Sequence, residues 1–150
     1  MLVRALRWPI QSVLAASALA FSPIVAAVPW LMRKGRFNNA NPRECLEAPD
    51  AAVTIPGWVR RARNAHFNNL ESLGLYAGGV AMAIQAGVSP VIIGRLATQY
   101  VLSRAFYNIV YVAGEERIKT RGFLRSAVFW LGCVPPPVRL WIEAAAAATV

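Results

Sequence analysis

Four long apolar segments alternate with shorter polar stretches along the chain. They cover about residues 8–32, 57–86, 91–113 and 123–148, and the last is interrupted by three prolines at 135–137. Apolar runs of about 20 residues are typical of helices that cross a lipid bilayer. The pattern therefore predicts an all-α, membrane-embedded four-helix bundle with about four transmembrane helices, folded as a single domain over 1–150.

The stretches between the apolar segments differ in charge. Residues 33–56 begin with Arg33 and Lys34 and are polar without a period, and 115–122 are rich in charge, whereas the turn at 87–90 has none. Lys and Arg are enriched in cytoplasmic loops. In a four-span protein the first and third loops lie on one side of the membrane. Both are therefore predicted to be cytosolic, with the two termini on the opposite face.

Composition favours the same class of protein. Hydrophobic residues make up 57% of the chain and charged residues only 15%, against about 25% charged residues in a typical soluble domain. A net charge of +9 would suggest a nucleic-acid partner if it were clustered on one surface. Here the basic residues stand in the gaps between apolar segments, so we expect the lipid bilayer as a partner and no nucleic acid.

Metal and disulfide chemistry have few candidate residues. Cys45 and Cys133 are far apart, without the spacing of a zinc site, and there is one histidine, so no metal cofactor is expected. A disulfide between the two cysteines stays open. Two free thiols are favoured, because Cys133 lies in an apolar segment.

A polar stripe occupies the start of the second apolar segment. Each residue of a helix advances about 100° around the axis, which places Arg61, Asn64, Asn68 and Glu71 within roughly 80° of one another. Polar and charged side chains at this depth are costly unless they are paired or face a wet cavity, so the stripe indicates a functional site. His66 lies off the stripe and is expected to be structural.

The third apolar segment carries a second stripe. Tyr100, Arg104, Tyr107 and Tyr111 are spaced i, i+4, i+7 and i+11, on one face of a helix. An aromatic belt at the membrane interface would explain Tyr111. It does not explain a row that runs through the span with an arginine in it.

Small residues follow the first stripe along the second segment. Gly74, Gly78 and Gly79 are spaced to let another helix approach closely. Simple helix flexibility is the alternative, and we favour packing.

Around these stripes the sequence resembles the MAPEG family, the membrane-associated proteins in eicosanoid and glutathione metabolism. The resemblance covers about residues 41–133 and is closest to the uncharacterised branch common in fungi and bacteria. It rests on Asn41-Pro42-Arg43, Arg61-Ala62, Ala65-His66-x-Asn68-x-x-Glu71, Ser103-Arg104-Ala105-Phe106-Tyr107-Asn108-Ile109-Val110-Tyr111, and Leu124-Arg125-Ser126 followed by Phe129-Trp130. Blocks in this order, each on the matching helix, are specific as a set.

The resemblance implies a left-handed four-helix bundle that assembles as a homotrimer, with glutathione bound between subunits near the cytosolic end. By this resemblance, the residues at the family's glutathione-binding positions are Asn68, Glu71, Arg104, Tyr107 and Tyr111. Arg61 lies close to them, so we expect it to meet a carboxylate of the tripeptide. The catalytic positions, beside the glutathione sulfur, fall on Arg125 and Ser126.

This set of residues suits thiol chemistry. Glutathione must ionise to attack an electrophile, and a free thiol has a pKa near 8.5. A guanidinium beside the sulfur favours the thiolate. The expected function is therefore that of a glutathione-dependent transferase or peroxidase acting on lipophilic electrophiles. A non-catalytic membrane scaffold that keeps the fold without the chemistry is the alternative. The expected location is the endoplasmic reticulum or another endomembrane in a eukaryote, and the inner membrane in a bacterium.

The chain departs from the family's pattern at three places, one of which is Ser72, where the family has an aromatic residue. Active synthases of the family carry an arginine three or four residues before the asparagine, where this chain has Asn64 and Ala65. The stretch 115–119 looks inserted and lengthens the third loop. The longer loop makes Arg121 a rival of Arg125 for the catalytic position.

Overall fold

The computed structural model describes residues 2–41, 46, 50–114 and 119–149, and all the regular structure within them is helical. The elements are α1 (Leu2–Arg33), α2 (Ala51–Thr54), α3 (Gly57–Gln85), α4 (Pro90–Ala113), α5 (Lys119–Ala127), a π-helical segment (Val128–Cys133) and α6 (Pro135–Ala147). The last three follow one another as a single long helical segment. The prediction of an all-α fold with four long helical segments is therefore confirmed for the part of the chain described.

The turn between α3 and α4 follows from its glycine and proline. Gly87 adopts φ +75°, a conformation that favours glycine. Its N–H donates to the Ile84 carbonyl at 3.1 Å, and the Val88 N–H donates to the Ala83 carbonyl at 2.9 Å, which satisfies two carbonyls at the end of α3. Pro90 then occupies the first turn of α4, where its missing N–H costs nothing. The two helices are thereby folded back antiparallel.

The fourth helical segment is interrupted earlier than its prolines suggest. The backbone is π-helical over Val128–Cys133, and the Val134 N–H donates to the Phe129 carbonyl, five residues back, at 3.1 Å. Pro135 and the prolines after it begin α6, where the first-turn N–H groups need no helical acceptor. The change in hydrogen bonding therefore lies at 128–134, and the prolines at 135–137 start a new helix.

Helix α1 has the length and composition of a membrane span. Judged by length and composition, Ala5–Arg33 is the one helix in the described part of the chain that could cross a bilayer. Helices α3 and α4 carry more polar side chains, and some of these, among them Asn69, Arg104 and Asn108, are buried on their inner faces. Those side chains determine the organisation of the core.

Two hydrophobic clusters lie at opposite ends of the bundle. The cluster nearer the Gly87 turn is formed by α1, α3, α4 and α6 around the stacked rings of Tyr76 and Tyr100, whose centroids are 3.8 Å apart. The other cluster joins the end of α1 to the start of α3, around Leu31 and Val59. The buried polar side chains of α3 and α4 lie between the two clusters and form a polar layer across the bundle.

Candidate functional site

A cavity of about 190 Å³ lies where α3, α4 and the fourth helical segment meet. Its lining residues are Asn68, Tyr107, Tyr111, Arg125, Ser126, Phe129 and Trp130. Five of these are residues to which the sequence assigned a role in the site. The structure therefore brings the asparagine of the first stripe, two tyrosines of the second stripe and the Arg-Ser pair of the fourth segment to one place.

The hydroxyl of Tyr107 is oriented by Asn68. The Asn68 amide Nδ2 donates to the Tyr107 hydroxyl oxygen at 2.9 Å. Because the phenol oxygen accepts this bond, its own proton remains available for an acceptor in the cavity. A neutral pair of side chains from α3 and α4 thus presents a hydrogen-bond donor to whatever occupies the cavity.

The positive charge at the cavity comes from Arg125. Its guanidinium carbon lies 4.9 Å from the centroid of the Tyr111 ring, within the range of a cation–π contact. The Tyr111 ring in turn packs against Tyr107, with 5.3 Å between centroids. Ser126 donates to the Gly122 carbonyl at 3.1 Å, so its oxygen can still accept a bond, and rotation about χ1 would free its proton. Both Arg125 and Ser126 are exposed.

Arg104 lies behind the cavity wall. It is 2% exposed, and its guanidinium carbon stands 5.4 to 5.5 Å from the ring centroids of Tyr100, Tyr107 and Phe129. Its Nη1 donates to Asn69 at 3.4 Å, while its Nε and Nη2 atoms have no hydrogen-bond partner among the residues described. The positive charge of Arg104 is therefore stabilised mainly by cation–π contacts with three aromatic rings, and two of these rings also line the cavity.

Asn69 and Asn108 complete the polar layer and were not anticipated from the sequence. The Asn69 amide donates to the Asn108 side-chain oxygen at 2.7 Å, and the Asn108 amide donates to the Leu19 carbonyl of α1 at 2.9 Å. The ring of His66 bonds to the next carbonyl, Ala20, at 2.7 Å. The signal available in the sequence was the i, i+4 spacing of Arg104 and Asn108 within an apolar segment.

Arg61 and Glu71 do not line the cavity within one chain. The Arg61 Nε donates to the backbone carbonyl of Val112, near the end of α4, at 3.1 Å. Glu71 is exposed and has no ion pair with any residue that the structure describes. Neither Arg61 nor Arg104 is therefore paired with Glu71 within a single chain. Helix α4 packs on the face of α3 that carries Asn68 and Asn69, which leaves Glu71 on the outside.

Some of the residues singled out from the sequence are not among those that the structure describes. These are the side chain of Arg121, the stretch 115–118, Cys45, and the Pro42-Arg43 part of the first block. Cys133 is a free, buried thiol. The described residues contain no group of three His, Cys, Asp or Glu side chains that could hold a metal ion.

Comparison with known proteins gives one match. The family model of the MAPEG family matches residues 12–140, which is most of the chain. No curated protein and no solved structure matches it. The family is membrane-associated, and together with the long apolar α1 this supports a membrane location. The resemblance inferred from the sequence blocks is thereby confirmed, and the chain belongs to the MAPEG family.

Proposed function

We propose that the protein spans the bilayer four times and acts as a glutathione-dependent transferase or peroxidase on lipophilic electrophiles. The observation that supports this is the cavity in which Arg125, Ser126 and the Tyr107 hydroxyl converge. A cation, a rotatable hydroxyl and a fixed phenol donor are the groups that would bind and ionise a thiol-containing peptide. Glutathione carries such a thiol together with two carboxylates.

Ionisation of the thiol would depend on Arg125. A positive charge beside the sulfur lowers the thiol's pKa, because it stabilises the thiolate and not the neutral form. Arg125 has no carboxylate partner among the residues described, and its guanidinium lies over the Tyr111 ring. Its guanidinium N–H groups therefore remain available to the sulfur. The hydroxyl of Ser126 would add a hydrogen bond to the same atom.

The transfer step is a substitution at carbon. The thiol releases its proton to water, and the thiolate sulfur forms a bond to the electrophilic carbon while the leaving group departs with its bonding electrons. With a hydroperoxide in place of the electrophile, the sulfur attacks oxygen and the O–O bond breaks. The alcohol then leaves with a proton, and a second glutathione reduces the resulting sulfenic acid to the disulfide and water.

Exposed apolar side chains beside the cavity suit a membrane-dissolved substrate. Trp130 lines the cavity and is 65% exposed, and Leu131 and Phe123, near it in the chain, are 76% and 80% exposed. Large apolar groups of this exposure are stable in contact with lipid tails. An electrophile dissolved in the bilayer would reach the sulfur laterally, along this surface.

A homotrimer would complete the site. The cavity of about 190 Å³ is smaller than the roughly 300–1,000 Å³ of a typical small-molecule site, so one chain would hold part of the tripeptide. Glu71 and Asn64 are exposed on α3, and in the proposal they face the neighbouring subunit. Native mass spectrometry of the protein in detergent tests the assembly, and a monomer at all concentrations would contradict it.

Topology is tested separately. Reporter fusions at residues 45 and 118, in the first and third loops, are expected to be cytosolic because those loops carry the basic residues. A luminal or periplasmic signal at either position would contradict the four-span arrangement.

The activity is tested by incubating the detergent-purified protein with glutathione and a chlorinated dinitrobenzene and measuring the conjugate. We expect conjugation by the unmutated protein and a loss of about a hundredfold in Arg125→Ala, the order of magnitude for removing one stabilising group from a developing anion. Arg139→Ala is the matched control, since Arg139 is exposed and paired with Glu143 at 2.7 Å. Glutathione binding without turnover would favour the scaffold, and no binding would contradict the proposal.

A further inference from the structure

A second groove lies between α1 and the start of α4, at the end of the bundle that carries the Gly87 turn. Its volume is about 540 Å³, and its lining residues are Trp8, Pro90, Val91, Gly94, Arg95, Thr98, Gln99 and Leu102. The indole N–H of Trp8 donates to the Thr98 hydroxyl at 2.8 Å, and that hydroxyl donates to the Gly94 carbonyl at 2.9 Å. The first of these bonds joins α1 to α4 within the lining of the groove.

Two side chains at the edge of this groove have donors without acceptors. Arg95 and Gln99 are both exposed, and neither forms a hydrogen bond or an ion pair with the residues described. Their neighbours on the same face, Val91 and Leu102, are exposed and apolar. An arginine on an apolar, membrane-facing surface is costly unless its head reaches the interface or a counter-charge. Both donors therefore require acceptors from outside the chain.

A second arginine lies at the same end of the bundle. Arg7 directly precedes Trp8 and is exposed, and the Trp8–Thr98 bond holds this part of α1 against α4. The side chain of Arg95 leans toward the N-terminal end of α4, as side chains on helices do. At 1.5 Å per residue, Arg95 lies about 7.5 Å inside the start of the helix and Gln99 about 6 Å deeper.

We propose that this groove binds a glycerophospholipid with an anionic headgroup. Arg95, with Arg7 nearby, forms an ion pair with the phosphate and the anionic headgroup. The Gln99 amide, one turn deeper, donates to an ester carbonyl of the glycerol backbone. The acyl chain lies along Leu102. The order of polar groups along α4 thus follows their order in the lipid, from the phosphate through the ester to the hydrocarbon.

The inference rests on the proposed four-span arrangement, in which α4 crosses the bilayer, and not on glutathione chemistry. Helix α4 is about 36 Å long at 1.5 Å per residue, compared with about 30 Å for the hydrocarbon core of a bilayer. The start of the helix therefore extends into the headgroup layer. With that surplus of about 6 Å at the start of the helix, the backbones of Arg95 and Gln99 lie about 1.5 Å and about 7.5 Å inside the hydrocarbon core. Their side chains lean toward the start of the helix and reach back toward the phosphate and the ester.

The experiment is native mass spectrometry of the detergent-purified protein, titrated with phosphatidylglycerol or phosphatidylcholine of the same chains. We expect stronger binding of phosphatidylglycerol, and about fivefold weaker binding of it in Arg95→Gln, the effect of one basic residue near an anionic lipid surface. Arg95→Lys should retain most of the preference because the charge remains. Arg33→Gln, which removes one exposed charge at the opposite end of α1, is the control and should bind as the unmutated protein does.

The ester contact has its own test. An ether-linked analogue of phosphatidylglycerol lacks the carbonyl groups, so it should bind more weakly than the ester lipid to the unmutated protein and equally to Gln99→Leu. Equal binding of the two headgroups, or equal effects of Arg95→Gln and Arg33→Gln, would overturn the proposal. Loss of the oligomer in Arg95→Gln would show that the groove is a subunit contact. Conjugation activity, measured on the same samples, should be unchanged in Arg95→Gln, which separates this site from the glutathione site.

Discussion

Asn108 supplies a hydrogen bond that Pro23 removes from the first helix. Pro23 has no N–H, so the carbonyl of Leu19, four residues earlier, has no helical donor. The Asn108 amide reaches this carbonyl at 2.9 Å from α4, and the Ser22 hydroxyl shares it at 3.0 Å. Backbone groups freed by a proline inside a membrane bundle must be satisfied by neighbouring helices or side chains. The polar layer therefore determines where α1 packs.

Replacement of Asn108 by leucine should destabilise the protein by about 1–3 kcal/mol, the cost of leaving buried polar groups without partners. The measurement is thermal unfolding in detergent, with Gln11→Leu, at an exposed position of α1, as the control. The loss should be smaller in a Pro23→Ala background, because alanine restores an N–H for the Leu19 carbonyl. Losses that simply add would show that the two residues are not coupled.

Asn68 and Tyr107 should act on glutathione as a unit. Asn68→Ala removes the donor that orients the Tyr107 hydroxyl, and Tyr107→Phe removes the hydroxyl itself. Each should weaken glutathione binding by roughly tenfold, near the value of one hydrogen bond, and the double variant should be little worse than either single one. Isothermal calorimetry measures the affinity. Tyr76→Phe, which removes a hydroxyl that does not line the cavity, should bind normally.

Glu71→Gln separates a binding role from a structural one. Because Glu71 is exposed and unpaired in the described part of a single chain, its neutralisation should leave thermal unfolding unchanged. If the neighbouring subunit brings glutathione to this carboxylate, binding of the tripeptide should be abolished. A fall in melting temperature with unchanged affinity would instead indicate an ion pair between subunits.

The pKa of bound glutathione should depend on Arg125. A guanidinium at the sulfur favours the thiolate, so the bound thiol should ionise below its ordinary pKa near 8.5. A decrease of about two units corresponds to about 2.7 kcal/mol. The near-ultraviolet absorbance of the thiolate across pH measures it. Arg125→Ala should raise the apparent pKa and Arg121→Ala should not; the opposite result would move the catalytic position to Arg121.

Gly79 should be intolerant of larger residues and Gly74 tolerant. A Cβ at Gly79 would lie 3.1 Å from the Leu140 Cβ and 3.2 Å from the Trp141 ring, whereas one at Gly74 would have no atom within 4 Å. Gly79→Val should therefore lower the melting temperature by separating α3 from α6. Gly74→Ala should be neutral or stabilising by up to about 1 kcal/mol, because alanine favours the helix. Equal melting temperatures for the two variants would contradict this account.

The sequence alone was enough for the helices and for much of the cavity. Apolar runs with glycine and proline between them predict the four helical segments, because these signals are local in the chain. The 3.6-residue period places Tyr107 and Tyr111 on one face, and the family's blocks add Asn68, Arg125 and Ser126. The structure brings these five residues together around one cavity.

Tertiary packing decided what each face of a helix meets. Asn68 and Asn69 are adjacent in the chain, but the turn of about 100° between them directs one to the cavity and the other to the polar layer. Of the three glycines expected to admit another helix, Gly78 and Gly79 face Trp141, whereas a Cβ at Gly74 would have no atom within 4 Å. The Trp141 indole donates to the Leu75 carbonyl at 2.9 Å. Arg104 shares a helical face with Tyr107 but lies behind its ring. Periodicity gives the direction of a side chain from its own axis, whereas its surroundings depend on where the other helices cross.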